Sequence, residues 1–159
     1  MTVSRTDSTY RVIHADAARV YAALVDADAL TQWLPPGGMS GRFERFDARP
    51  GGAYRLVLTY ADGSSGSGKA SPKTDIVEAR FLDLVPHVRV VQAVDFVAAD
   101  PAYAGTMTMT WQLSQVAGGT RVEIRAENVP AGIGREEHAV GMASSLANLA
   151  AFAEAGENT

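Results

Sequence analysis

Residues 40–128 alternate between apolar and polar side chains, with groups of turn residues at intervals. A period of two places successive side chains on opposite faces of a strand, so this pattern predicts a meander of antiparallel strands. We expect six strands, at 41–49, 53–60, 74–84, 87–96, 106–115 and 120–128. Because helical patterns precede and follow them, the fold class that the sequence predicts is α+β.

The segment before the meander predicts one strand and two short helices. Residues 8–14 alternate and are rich in strand formers, with Tyr10 and Val12 on one face. Asp16 is placed as the N-cap of a first helix, and Asp28 as the N-cap of a second helix over 29–34. With the meander, this makes a sheet of about seven strands.

The segment after the meander predicts one long helix over 134–155. It contains no proline, and two glutamates lie in its first turn, where a helix dipole favours carboxylates. Its apolar residues recur on one face at Met142, Leu146, Leu149 and Ala153. Such a helix is about 33 Å long at 1.5 Å per residue.

Composition excludes several classes of protein. The 159 residues are 47% hydrophobic, which suits one domain, with an ordered core over about 8–155. The net charge of -4 is scattered along the chain, which argues against nucleic acid as a partner. There is no cysteine for a disulfide or thiolate site, and no apolar run reaches the roughly 20 residues of a membrane helix. We therefore expect a cytoplasmic protein without a membrane span.

Several motifs resemble those of one known superfamily. They are VYAALVDADALTQWLPP at 20–36, RPGGAY at 49–54, FLDLVP at 81–86, GGTRV at 118–122, AGTMTMTW at 104–111 and SLANLA at 145–150. Together with the order of elements, they resemble the START-like (SRPBCC) superfamily, and within it the bacterial branch named for the activator of heat-shock-protein ATPase. The resemblance spans nearly the whole chain.

The resemblance implies a helix-grip fold, in which a curved antiparallel sheet wraps the C-terminal helix and leaves a hydrophobic tunnel between them. The superfamily includes lipid carriers, plant hormone-binding proteins, polyketide cyclases and oxygenase catalytic domains, so the fold alone does not select a function. His14, His87 and His138 lie in three separate elements, which argues against the oxygenase iron site and against any other metal site. We expect no cofactor.

Two residues are candidates for acid–base chemistry. His138 lies in the first turns of the terminal helix, one turn before Met142, where it could reach a cavity mouth. Asp75 shares a strand face with Phe81 and could place a carboxylate near one end of the cavity, or else lie in water at the strand end. His14 and His87 are predicted at the surface or at an edge.

Pocket-lining residues are predicted from strand parity and helix periodicity. Gln92 falls among apolar neighbours, so it either bonds within the protein or orients a ligand. The large aromatic and methionine side chains serve a pocket or a plain core equally well. The predicted ligand-binding set is Trp33, Tyr54, Leu58, Tyr60, Gln92, Met109, Trp111, His138, Met142 and Leu146.

Three functions remain open at this level. The sequence favours a non-catalytic binder of a small hydrophobic molecule, such as a lipid, a polyketide-like aromatic or an apolar metabolite. The first alternative is a cyclase, dehydratase or hydrolase that uses His138 or Asp75 in the same cavity. The second is a co-chaperone-like interaction module, against which the mixed polar outer strand faces argue. A homodimer is neither indicated nor excluded.

Overall fold

The computed structural model of the chain describes residues 5–35, 39–60, 74–97 and 100–155. Seven strands, three helices and one short 3-10 turn follow the predicted order. They are β1 (Thr6–Ile13), α1 (Ala17–Val25), α2 (Ala27–Trp33), β2 (Met39–Phe46), β3 (Ala53–Tyr60), β4 (Thr74–Val85), β5 (Arg89–Phe96), the 3-10 turn (Pro101–Tyr103), β6 (Met107–Val116), β7 (Gly119–Glu127) and α3 (Arg135–Ala155).

The strands form one antiparallel sheet in the order β1-β7-β6-β5-β4-β3-β2. Consecutive strands from β2 to β7 are neighbours, and β1 forms one edge of the sheet beside β7. Gly51 and Gly118 have φ values of 84° and 82°, which the β2–β3 and β6–β7 turns require and which glycine adopts without steric cost. The α+β class, the six-stranded meander and the sheet of seven strands are therefore confirmed.

Several predicted boundaries differ from the structure by one to three residues, and two of these differences have clear local reasons. The second helix begins two residues early, because Asp26 is extended and its carboxylate accepts from the Asp28 backbone N–H at 3.1 Å, as an N-cap does. His87 does not begin β5; it occupies the turn before it, with a φ of 66°. Residues 62–72, whose glycines and serines predict a loop, lie outside the described residues.

The core lies between one face of the sheet and α3. The buried stripe of α3 joins buried residues of all the strands from β3 to β7 in a single apolar cluster, and we call this side of the sheet the inner face. The stripe consists of Met142, Leu146, Leu149, Ala150 and Ala153. α3 packs most closely on β1, α1 and α2. The grip predicted for the C-terminal helix is confirmed.

Two hydrogen bonds hold the last turns of α3. The Arg19 Nε atom of α1 donates to the Ala153 carbonyl at 2.6 Å, and the His14 backbone N–H donates to Glu154 Oε2 at 2.9 Å. A cation near the last carbonyls of a helix is favourable because of the helix dipole. Within the described ranges, no helix is both long and apolar enough to cross a membrane.

Candidate functional site

One row of the inner face crosses five strands. Cross-strand pairing aligns Phe81 of β4 with Gln92, Gln92 with Met109, Met109 with Ala126, and Ala126 with Asp7 of β1. Residues paired directly across antiparallel strands project to the same face. The row is thus apolar apart from one amide and one carboxylate, both of which are buried.

An aromatic group occupies the β2–β4 side of the inner face. The Tyr54 ring lies 5.3 Å from Phe43, 6.0 Å from Phe46 and 5.8 Å from Phe81, measured between ring centroids. Burial raises the pKa of the Tyr54 hydroxyl to about 12, so it remains protonated in neutral solution. A neutral hydroxyl in such surroundings can donate or accept one hydrogen bond.

The two tryptophans form a ring contact between α2 and β6. Trp33 and Trp111 lie edge to face, with ring centroids 5.7 Å apart and an interplanar angle of 80°. The Trp33 indole N–H donates to the Ala23 carbonyl at 3.0 Å. The Trp111 indole N–H has no such bond to any described residue, although its ring is buried. The Trp33 indole N–H therefore has its hydrogen-bond partner within the protein.

Gln92 is a buried polar residue of the inner face whose side chain has no hydrogen-bond partner among the described residues. Only 7% of the residue is exposed, and its side chain forms no hydrogen bond with the part of the chain that the structure describes. Among the described residues, two side-chain polar atoms, Arg5 Nε and Asp7 Oδ1, are buried from water and have no hydrogen-bond partner. The amide atoms of Gln92 are not among them. The amide therefore borders a space that water can enter.

The other predicted pocket residues lie on the same side of the sheet. Leu58 and Met109 are half-buried, and Met142 and Leu146 are buried on α3. The Tyr60 backbone ends β3 opposite Met39, and its side chain lies outside what the structure describes.

Asp75 was predicted either to face the inner side of the sheet or to lie in water, and in the structure it faces inward. It is 6% exposed and pairs with Leu58 across β3 and β4, which places its side chain on the inner face. It does not lie in water at a strand end, and it has interactions of its own.

His138 is bound to a residue that sequence reasoning missed. Its Nδ1 atom lies 2.8 Å from Asp7 Oδ2, and Arg5 donates to the same oxygen at 3.0 Å. Burial disfavours ionisation of Asp7, but the hydrogen bonds from His138 and Arg5 outweigh it and lower the pKa of this carboxyl below its ordinary 3.8. Asp7 is therefore an ionised, buried hydrogen-bond acceptor.

The sequence contains a signal for Asp7. Ile13 is an apolar residue near the end of β1, and Asp7 lies six positions earlier in the same strand. An even spacing along a strand puts two side chains on one face, so an inward Ile13 implies an inward Asp7. The prediction began the strand at residue 8 and so left the carboxylate out of the core.

His14 and His87 are exposed, as predicted. His14 Nδ1 lies 3.3 Å from the Gly118 carbonyl, and His87 meets the edge of the Tyr21 ring at 5.9 Å. Across the described ranges, no group of three histidine or acidic residues could hold a metal ion.

Two open depressions lie away from the inner face. One, of about 380 Å³, is bordered by His14, Asp16 and the β6–β7 turn; the other, of about 360 Å³, lies beside Arg45, Glu78 and Arg80. Both are as polar as they are apolar in their lining, unlike the inner face. The closed apolar cavity predicted between sheet and helix remains a prediction.

The fold defines a class before any relative is considered: an α+β helix-grip protein, with a curved antiparallel sheet around a C-terminal helix. Residues 14–154 match the family described as Activator of Hsp90 ATPase homolog 1-like protein. The chain belongs to this family, in agreement with the resemblance to the SRPBCC superfamily.

Solved structures agree with this assignment. A Chromobacterium violaceum protein is 34% identical, with a TM-score of 0.83, over 94% of this chain and 96% of that chain. A Rhodobacter sphaeroides protein is 21% identical, with a TM-score of 0.74, over 94% and 93%. An AHSA1-like protein from Aeromonas hydrophila is 17% identical, with a TM-score of 0.74, over 96% and 94%. No curated protein matches the sequence.

Proposed function

We propose that the protein binds a small hydrophobic molecule between the inner face of the sheet and α3. The observation that carries this proposal is Gln92, a buried amide without a partner among the described residues, set on an apolar face. When a bound molecule displaces the water that reaches this amide, the amide costs about 1–3 kcal/mol unless that molecule bonds to it. A ligand that bonds to Gln92 recovers this free energy.

The surroundings of Gln92 suit such a ligand. Its row neighbours are Phe81 and Met109, and the aromatic group around Tyr54 lies one strand further on. Binding sites for small molecules are mostly apolar with a few directed polar groups. The Tyr54 hydroxyl and the Trp111 N–H supply two more such groups. We infer a ligand with an apolar body and at least one hydrogen-bonding group.

The ligand-binding test uses two apolar probes, 2-methoxynaphthalene and palmitic acid. We expect at least one to bind saturably, at one molecule per chain, and to raise the melting temperature. A ligand present at about 100 times its Kd stabilises the folded state by about 2.7 kcal/mol. If neither probe binds in native mass spectrometry or in a thermal titration, the proposal is wrong.

A space-filling variant tests the location. Met109→Trp places a larger ring on the inner face beside Gln92, and we expect it to abolish probe binding with little loss of stability. Were the space already filled, overpacking would instead cost about 1–3 kcal/mol. Thr110→Trp is the matched control, because it adds the same ring to the next position, on the outer face, and should leave binding unchanged.

An enzymatic use of the same space rests on a different observation, the hydrogen bond between Asp7 and His138. A histidine oriented by a carboxylate is the usual arrangement of a general base. Asp75, the other candidate, contributes a second buried carboxylate on the inner face. The cytoplasmic location, the co-chaperone role and the homodimer stay expectations, for which no described contact argues.

A further inference from the structure

The arrangement of Asp7 and His138 determines which ring nitrogen carries the proton. An ionised carboxylate has no hydrogen to donate, so the 2.8 Å contact between His138 Nδ1 and Asp7 Oδ2 requires that Nδ1 donates. In the neutral imidazole, Nε2 then has a free lone pair and accepts a hydrogen bond. Asp7 is thus a positioning residue that makes Nε2 an acceptor.

The Nε2 atom is accessible. It forms no hydrogen bond with the described residues, and it is not among their polar atoms that are buried from water without a partner. The His138 side chain is only 13% exposed, and Asp7 is 5% exposed, so the acceptor is held in a largely desolvated place. His138 lies one turn before Met142 on the buried stripe of α3, which faces the inner sheet.

We propose, on the basis of the ligand-binding function above, that the Asp7 and His138 pair anchors a ligand through a neutral acidic hydroxyl, phenolic or enolic. A more acidic hydroxyl forms a stronger hydrogen bond to a basic ring nitrogen. A carboxylate ligand is disfavoured because the ionised Asp7 lies next to the histidine, and Arg5 is already bound to Asp7. The ligand class is therefore an apolar phenol or enol.

The binding test compares 2-naphthol with 2-methoxynaphthalene, which differ only in the hydroxyl hydrogen and a methyl group. We expect the folded protein to bind 2-naphthol about tenfold more tightly, a typical gain for one directed hydrogen bond. His138→Phe should bring the ratio of the two affinities to about one, whereas Val140→Phe, which adds the same ring at an exposed position of α3, should keep the tenfold ratio. Equal affinity of the wild type for both probes would overturn the anchor while the ligand-binding function stands; binding of neither probe, nor of palmitic acid, would overturn both.

A second variant separates positioning from packing. Asp7→Leu, a change to an apolar side chain of similar size, removes the acceptor that holds the ring proton on Nδ1, so the proton is free to move to Nε2, which then donates instead of accepting. We expect this variant to lose the preference for 2-naphthol over 2-methoxynaphthalene. Nitrogen-15 spectra of the histidine ring report the tautomer without any ligand; a wild-type His138 protonated at Nε2 alone would overturn the proposal.

Discussion

At the scale of single residues, Gly141 illustrates how a sequence signal is read differently once its surroundings are known. A glycine inside a helix can mark a close approach by backbone or ligand. In the structure Gly141 is exposed, and an added Cβ would meet nothing within 4 Å. Gly141 therefore has no such contact with the described residues, because it lies on the outer side of α3, away from the buried stripe.

Gly141→Ala is therefore expected to stabilise the protein by about 0.5–1 kcal/mol, since alanine loses less backbone entropy in a helix. Urea unfolding followed by circular dichroism measures the change. Ala143→Gly is the matched control, being exposed on the same helix, and should lower stability by a similar amount. A loss of stability in Gly141→Ala would mean that something outside the described contacts packs there.

The pH dependence of stability provides a test at Asp7. Because the folded pKa lies below the ordinary 3.8, the ionised carboxylate stabilises the folded state fully above about pH 5. This contribution is lost as the pH falls below 3.8 and through the folded pKa. We expect wild-type unfolding free energy to fall over this range, and Asp7→Asn to be less stable at pH 7 by roughly 1–3 kcal/mol, with a flatter acid profile.

Glu44→Gln is the surface comparison for this experiment. Hydrogen bonding to Arg55 lowers the pKa of Glu44 as well, but the pair lies in solvent, which screens its charges. The acid profile of Glu44→Gln should therefore stay close to that of the wild type. Equal flattening in the two variants would contradict a special contribution from the buried carboxylate.

At the scale of elements, the N-cap of α1 is a separable contribution to stability. The Asp16 carboxylate accepts from the Arg19 backbone N–H at 2.8 Å. Asp16→Ala should cost about 1 kcal/mol, whereas Asp16→Asn, which keeps the acceptor, should cost much less. Chemical denaturation of the three proteins measures this difference. If Asp16→Ala left the free energy of unfolding unchanged, packing against α3 alone would hold the first turn of α1.

The elements themselves were largely predictable, because period-two and helical patterns are local properties. All seven strands and three helices were expected, and the β3 range agrees residue for residue. The errors lie at ends, where competing signals are one or two residues apart. Asp26 and Asp28 both suit an N-cap, and only the observed backbone shows that Asp26 is the extended one. His87 directly follows Pro86, a position at which a strand can start. In the structure it lies in the turn before β5.

At the scale of the whole molecule, we expect the Gln92 side chain to lower the stability of the free protein and to strengthen ligand binding. Gln92→Leu replaces an unpartnered buried amide with an apolar side chain of similar size, and we expect the free protein to gain about 1 kcal/mol. The same variant should bind hydrogen-bonding ligands more weakly. Thermal unfolding with and without 2-naphthol measures both effects.

Gln112→Leu is the control for these two effects. Gln112 lies on the outer face, and its amide donates to the Val88 carbonyl at 3.2 Å, so the substitution removes a bond and should not stabilise the protein. If Gln92→Leu were destabilising to the same degree, the amide would have a structural role and the main support for the binding proposal would be lost.

The sequence by itself determined the class of fold, the order of elements and most of the apolar side chains that face inward, because each depends on neighbours within a few positions along the chain. Only the tertiary structure decided which polar groups meet. Asp7 and His138 are 131 positions apart, and their contact exists because β1 and α3 pack together. The lack of a partner for Gln92 is likewise a property of the assembled inner face, where register across several strands surrounds the amide with apolar side chains.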